Sequence, residues 1–283
     1  MRLPASVLLV SMLTLGCHSQ THASNEMPAN IIIPDPPPSA PIEQWRADSG
    51  RTPVSFDLHG ATVRGFRYDG TDPNAPTLLF FNGNGMTVLR ADALYRRLAE
   101  LGPSVVVYDY RGYGFSGGKP DLMTYRNDAL LLYDRAAASA PGHRVVVYGY
   151  SMGTTAASYI ASERPVAALI LAAPIGSAEE EFPVYAKLIG YSTEFIQTHK
   201  PSADAKLIFG EVALVARSKA PLLVLHGTAD FLIPVEQSRE VLSASPSPSK
   251  RLVELPGADH NATPEESASF DAISQLLHDL QSH

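Results

Sequence analysis

Val145-Val146-Val147-Tyr148-Gly149-Tyr150-Ser151-Met152-Gly153 runs directly into an alanine-rich stretch that starts Thr154-Thr155-Ala156-Ala157. Three adjacent β-branched residues followed by an aromatic read as a strand buried on both faces, and the alanines read as a helix over 151–163. A serine thus sits on a tight strand-to-helix turn, with glycine two residues to either side. So sharp a reversal puts the serine in a sparsely populated backbone conformation, and the glycines remove Cβ atoms that would meet neighbouring backbone. The hydroxyl is left exposed, as in a nucleophile elbow. The competing reading is a serine that caps the following helix.

A serine hydroxyl is a weak nucleophile at neutral pH and needs a base, itself oriented by an acid. Asp230 follows the apolar run Pro221-Leu222-Leu223-Val224-Leu225-His226, so a carboxylate stands at the C-terminal end of a buried strand. His260 follows a second strand-like run, Lys250 to Leu255, in Gly257-Ala258-Asp259-His260. Asp204 and Asp259 are the alternative orienting acids, and His226 reads as structural. A tetrahedral intermediate further needs two backbone N–H donors. Met152, next to the serine, supplies one; Asn84, with Gly83 as the alternative, supplies the other from the loop after Thr77-Leu78-Leu79-Phe80-Phe81. A plain glycine turn is the competing reading of that loop.

These residues resemble the α/β-hydrolase family, in which the order Ser, Asp, His is that of the triad. The resemblance covers roughly residues 54–283 and includes Phe81-Asn82-Gly83-Asn84-Gly85, similar to the family's His-Gly oxyanion loop. It extends to Asp109-Tyr110-Arg111-Gly112-Tyr113-Gly114-Phe115-Ser116-Gly117, His226-Gly227-Thr228-Ala229-Asp230 with Ile233-Pro234, and Gly257-Ala258-Asp259-His260. It looks most like a short-cap branch of membrane-tethered protein depalmitoylases, lipid hydrolases and carboxylesterases. Asn82 departs from the histidine usual there. The resemblance implies an α/β fold with a mostly parallel eight-stranded sheet and a short cap insertion.

Gly112, Gly114 and Gly117 also fit a dinucleotide-binding fingerprint, which wants a helix to open on the glycines. Gly118-Lys119-Pro120-Asp121 intervenes instead, and helical periodicity starts near Tyr125, so Asp109 and Arg111 read as braces of the turn. A net charge of −7 over 283 residues, with no long basic block, argues against nucleic acid as a partner. No Cys/His cluster has metal-ligand spacing, and the chemistry needs no cofactor. The partner is an acyl-chain or small-molecule substrate, with oligomeric state open.

Met1-Arg2 and the apolar stretch Leu3 to Leu15 read as an export signal, too short to span a bilayer. The only cysteine, Cys17, follows Leu13-Thr14-Leu15-Gly16, which resembles a bacterial lipobox and implies lipidation and a membrane anchor in the cell envelope. Cleavage after Thr21-His22-Ala23 is the alternative and leaves a soluble exported protein. Residues 1–23 are then leader, 24–53 a proline-rich linker, and 54–283 the hydrolase domain.

Strands are expected at 54–58, 62–68, 77–81, 105–109, 145–148, 168–172, 221–226 and 250–255. Helices are expected at 87–101, 125–140, 151–163, 235–243 and 264–280, with the cap at about 176–217. Phe182, Val184, Tyr185, Leu188, Ile189, Tyr191, Phe195 and Ile196 in that insertion read either as cover for an acyl chain or as packing. The function expected is hydrolysis of an ester or thioester through an acyl-enzyme. One alternative is an aminopeptidase with an acidic amine subsite at Glu179 to Glu181; the other is a non-catalytic envelope lipoprotein that binds a ligand.

Overall fold

In a computed structural model of the protein, the residues described are 26–27, 39–140, 142 and 144–282. Cys17 and the expected signal peptide lie outside the described residues, as do residues 24–25 and 28–38 of the proline-rich stretch.

Eight strands form one sheet: β1 (Arg51–Leu58), β2 (Ala61–Tyr68), β3 (Thr77–Phe81), β4 (Val105–Tyr108), β5 (Val145–Tyr150), β6 (Ala168–Ala172), β7 (Leu222–Gly227) and β8 (Lys250–Leu255). Their order is β8-β7-β6-β5-β3-β4-β2-β1; β2 is antiparallel to both of its neighbours, and all the other strands run in one direction. The helices are α1 (Asp92–Ala99), α2 (Leu122–Ser139), α3 (Gly153–Glu163), α4 (Ala178–Leu188), α5 (Thr193–Thr198), α6 (Ala203–Ile208), α7 (Glu211–Val215), α8 (Val235–Ala244) and α9 (Ser267–Gln281).

The central strands are buried along their whole length because both faces are covered. Side chains alternate across the sheet, so Leu79, Val147, Leu169 and Val224 enter a core shared with α2, α3 and α8. Their neighbours Leu78, Val146, Ile170 and Leu223 enter the other, shared with α1 and α9. Each fully buried aliphatic or aromatic side chain contributes about 1.5–3 kcal/mol, so these alternating runs decide the topology.

The register places the function-bearing turns together. Phe81 pairs with Gly149, Tyr150 with Ala172, and Leu255 with Gly227. The loops after β3, β5, β7 and β8 therefore leave from the same edge of the sheet, at the C-terminal ends of parallel strands, where open α/β sheets form their sites. The expected strands and helices are all present. The clearest displacement is α1, expected from residue 87 but formed only from Asp92. The Asp109 carboxylate accepts the Val88 N–H at 2.8 Å, and this long-range bond holds residues 88–91 as a turn.

Between β6 and β7 lie four short helices, α4 to α7. Three of them begin on a serine whose hydroxyl accepts a helix N–H: Ser177 from Glu180, Ser192 from Phe195 and Ser202 from Ala205. These caps break the segment into short pieces. Phe182 is fully buried against Phe209, which makes it core packing, whereas Leu188 and Tyr191 are exposed. The stretch read as linker is partly docked: β1 begins at Arg51, and the Trp45 indole N–H donates to the Gly65 carbonyl at 2.9 Å. Among the described residues, no helix is long and apolar enough to cross a membrane.

Candidate active site

Ser151 lies between β5 and α3 with φ of 53°, a left-handed conformation that L residues rarely adopt. The flanking glycines have steric causes. A Cβ on Gly149 would stand 2.5 Å from the Gly153 carbonyl oxygen, and one on Gly153 would stand 2.1 Å from that of Phe81. The Ser151 N–H donates to the Ala172 carbonyl at 2.9 Å, and the Thr154 hydroxyl donates to the Ser151 carbonyl at 2.6 Å. The serine is thus bound to β6 on one side and to its own helix on the other.

The Ser151 hydroxyl meets His260 Nε2 at 2.9 Å, and His260 Nδ1 meets Asp230 Oδ2 at 2.7 Å. A carboxylate only accepts, so Nδ1 carries the proton and the bare Nε2 accepts from the serine. Asp230 Oδ1 accepts the N–H groups of Leu232 and Ile233, each at 2.9 Å. Burial by itself would raise the Asp230 carboxyl; hydrogen bonds from His226 and His260 outweigh it and hold the group well below the usual carboxylate range. Of the alternative acids, Asp259 turns away to accept the Ala262 N–H, and Asp204 sits exposed on α6.

His226 is fully buried and donates from Nε2 to the Ile233 carbonyl at 2.8 Å, while Nδ1 accepts from the Ser238 hydroxyl. Nε2 is also 3.4 Å from Asp230 Oδ2, so a residue read only as structural fixes the loop that carries the acid. Tyr150, inside the quoted elbow, donates from its hydroxyl to the His260 carbonyl at 3.1 Å and places its ring 5.3 Å from the imidazole. Its flanking glycines drew attention in the sequence, and the tyrosine did not.

The loop after β3 approaches the elbow closely: a Cβ on Gly83 would lie 3.3 Å from that of Ser151. Asn82, where histidine is usual, is fully buried; its Oδ1 accepts from the Tyr95 hydroxyl, and its Nδ2 has no hydrogen-bond partner among the described residues. The Asn84 side chain accepts from the Tyr113 hydroxyl at 3.1 Å. Gly112 and Gly114 have positive φ and turn the chain, and α2 starts only at Leu122, so no helix opens on the glycines.

Two buried carboxyls flank the triad-like set. Glu211 is fully buried, accepts from the Thr155 hydroxyl at 2.6 Å, and lies 3.1 Å from the Thr154 hydroxyl that binds the Ser151 carbonyl. Burial pushes it up to about 8. Glu181 is likewise pushed up to about 8 by burial and accepts from Gln237 at 3.1 Å. Glu211 therefore favours folding fully below its ordinary value of 4.5, a contribution lost as pH rises through about 8. Glu211→Gln keeps the acceptor and removes the ionisation, so its Tm should fall less than the parent's between pH 6 and pH 9. Equal falls in thermal-melt scans would contradict that assignment.

The chain belongs to the α/β-hydrolase superfamily: residues 72–209 match the family described as serine aminopeptidase, S33, a stretch that contains Ser151. It is similar to an uncharacterised protein of Mycobacterium tuberculosis, 31% identical over 217 residues that cover 75% of this chain and 73% of that one. It is also 31% identical over 198 residues to the lysophosphatidylserine lipase ABHD12 of Rattus norvegicus, covering 65% of this chain and 49% of that one. The chain thus spans about half the length of that relative. In fold it is similar to the monoacylglycerol lipase of Paleococcus ferrophilus, with a TM-score of 0.59 and 22% identity over 76% of this chain and 98% of that one.

Proposed function

We propose that this hydrolase cleaves acyl esters or thioesters through a covalent acyl-enzyme on Ser151. The observation that carries the reading is the continuous relay from Ser151 Oγ to His260 Nε2 and from His260 Nδ1 to Asp230, at 2.9 and 2.7 Å. Ser151 attacks the carbonyl carbon as His260 takes its proton. The Met152 and Asn84 N–H groups hold the oxyanion, and His260 returns the proton to the leaving oxygen or sulfur. His260 then activates water to release the acid. Asp230, bound at both oxygens, keeps the imidazole in the right tautomer and stabilises its charged form. The start of α3 immediately after the elbow adds its positive dipole end.

The aminopeptidase reading wants a carboxylate to receive a substrate ammonium. Of the three acidic candidates, Glu181 is buried, pushed up to about 8 and engaged by Gln237. Glu179 is paired with Lys206 at 3.0 Å, and Glu180 contacts its capping serine, Ser177. This favours esters over aminoacyl amides. The relatives named as lipases make an acyl lipid the preferred substrate class, and α4 to α7, with Glu179 to Phe209 among them, are assigned as the cap. The leader and Cys17 support export to a bacterial envelope with a lipid anchor, cleavage after Ala23 being the soluble alternative. Short-chain p-nitrophenyl esters, acyl thioesters and aminoacyl p-nitroanilides offered side by side test the substrate class. Turnover of the first two with the anilide at background is expected; the reverse order would overturn it.

A further inference from the structure

We propose that Tyr110, Tyr113 and Tyr125 form a hydroxyl brace that sets the width of the oxyanion hole, and that they are positioning residues for ester cleavage. The inference rests on the acyl-enzyme reading above and on its two N–H donors, Met152 and Asn84.

The two donors come from separate pieces of chain, the loop after β3 and the elbow after β5. Catalysis needs their spacing fixed to a few tenths of an ångström before charge develops on the substrate. Nothing in the strand register extends that far, because the ladder between β3 and β5 ends at Phe81 and Gly149. Beyond it, the tyrosines span the gap. The Tyr110 hydroxyl donates to the Asn82 carbonyl at 2.6 Å, two residues before Asn84. The Tyr125 hydroxyl lies 3.2 Å from the Met152 carbonyl oxygen and 3.2 Å from the Tyr110 oxygen, so its proton lies between the two walls. Tyr113 donates to the Asn84 side chain at 3.1 Å, which fixes the loop wall at a second point. Tyr110 packs edge-on against both of the others, with ring centroids 5.8 Å from Tyr113 and 5.0 Å from Tyr125.

Two further observations bear on the brace. Burial raises all three phenols above their usual value, so their hydroxyls stay protonated even in alkaline assays. The three rings, with Phe81 and Met152, also border a cavity of about 30 Å³. Packing behind the walls is therefore incomplete, and the hydroxyl contacts are what ties one wall to the other. The same turn is tied to the loop a second time through Asp109, whose carboxylate accepts from Val88 at 2.8 Å and from Phe115 at 3.0 Å. The glycine-rich turn after β4 thus holds the oxyanion loop.

The test uses the full chain and the variants Tyr110→Phe, Tyr113→Phe, Tyr125→Phe and the Tyr110/Tyr125 double. The control is Tyr148→Phe, a buried tyrosine whose hydroxyl has no partner among the described residues. Kinetics on a short-chain p-nitrophenyl ester are measured beside the affinity for an alkyl trifluoromethyl ketone, whose adduct carries the oxyanion. Losing one true oxyanion donor costs 10²–10³ in kcat, so a lost brace bond should cost about tenfold and the double about a hundredfold. KM and Tm should stay near the parent's, ketone affinity should fall in proportion to kcat/KM, and Tyr148→Phe should match the parent. An active parent whose double variant keeps its kcat, or loses it only as Tm falls with ketone affinity unchanged, overturns the brace alone. A folded parent that hydrolyses no ester and takes no ketone overturns the acyl-enzyme reading, and the brace with it.

Discussion

Ser151→Ala should lose 10⁴–10⁶-fold in kcat on acyl esters, as serine hydrolases generally do when a triad member is removed. The fold should survive. Alanine fits where serine stood, since the hydroxyl makes one bond outward to His260 and none into the core. The elbow strain persists, because φ stays at 53° whichever of the two residues is present. Glycine at the same position should abolish turnover equally and raise Tm, since a left-handed non-glycine residue costs on the order of 1–3 kcal/mol. Measured together, kcat and Tm separate the chemical role of Ser151 from its conformational cost. A Ser151→Ala enzyme with parent-like turnover would place the nucleophile elsewhere.

Gly153→Ala should be strongly destabilising for a change of a single methyl group. The added Cβ would sit 2.1 Å from the Phe81 carbonyl oxygen and 2.8 Å from that of Asn82. Both obstacles are backbone, so neither yields by rotating a side chain. The elbow helix or the loop after β3 must move, which breaks the β3–β5 edge and parts the two walls of the oxyanion hole. Overpacking of this severity costs about 3–5 kcal/mol, at the top of the range for point changes. Gly85→Ala provides the contrast: its φ is 71°, but a Cβ there meets nothing within 4 Å. It should lose only the roughly 1 kcal/mol of a left-handed residue. Denaturant melts giving the two variants equal stability would contradict the steric account of the elbow.

The elements legible in the sequence are those whose signal is local. β3, β6 and β8 fall where expected because turn residues bound each apolar run. Ser151, Asp230 and His260 stood out because the proposed nucleophile, orienting acid and base must be particular residue types at the ends of particular strands. What stayed hidden depends on contacts between distant residues. Helix α1 starts late because a carboxylate 21 positions away takes a backbone N–H from the segment before it. The docked stretch before β1 reads as linker because it lacks periodicity, yet the Ala40 N–H bonds to the Gly114 carbonyl at 3.0 Å. Tyr125 marked only the start of a helix, and nothing in its spacing discloses that its hydroxyl reaches Met152. Glu181 reads only as part of a candidate acidic subsite and Glu211 carries no signal in the sequence; burial, which depends on distant contacts, pushes both carboxyls up to about 8.

The central claim is that His260 and Asp230 activate Ser151. Full-length protein treated with a fluorophosphonate probe, digested and mapped by peptide mass spectrometry, tests it directly. The account predicts a single adduct on Ser151 in the parent and its loss in His260→Ala. A folded parent that takes no label at Ser151, or equal labelling in His260→Ala, would contradict it.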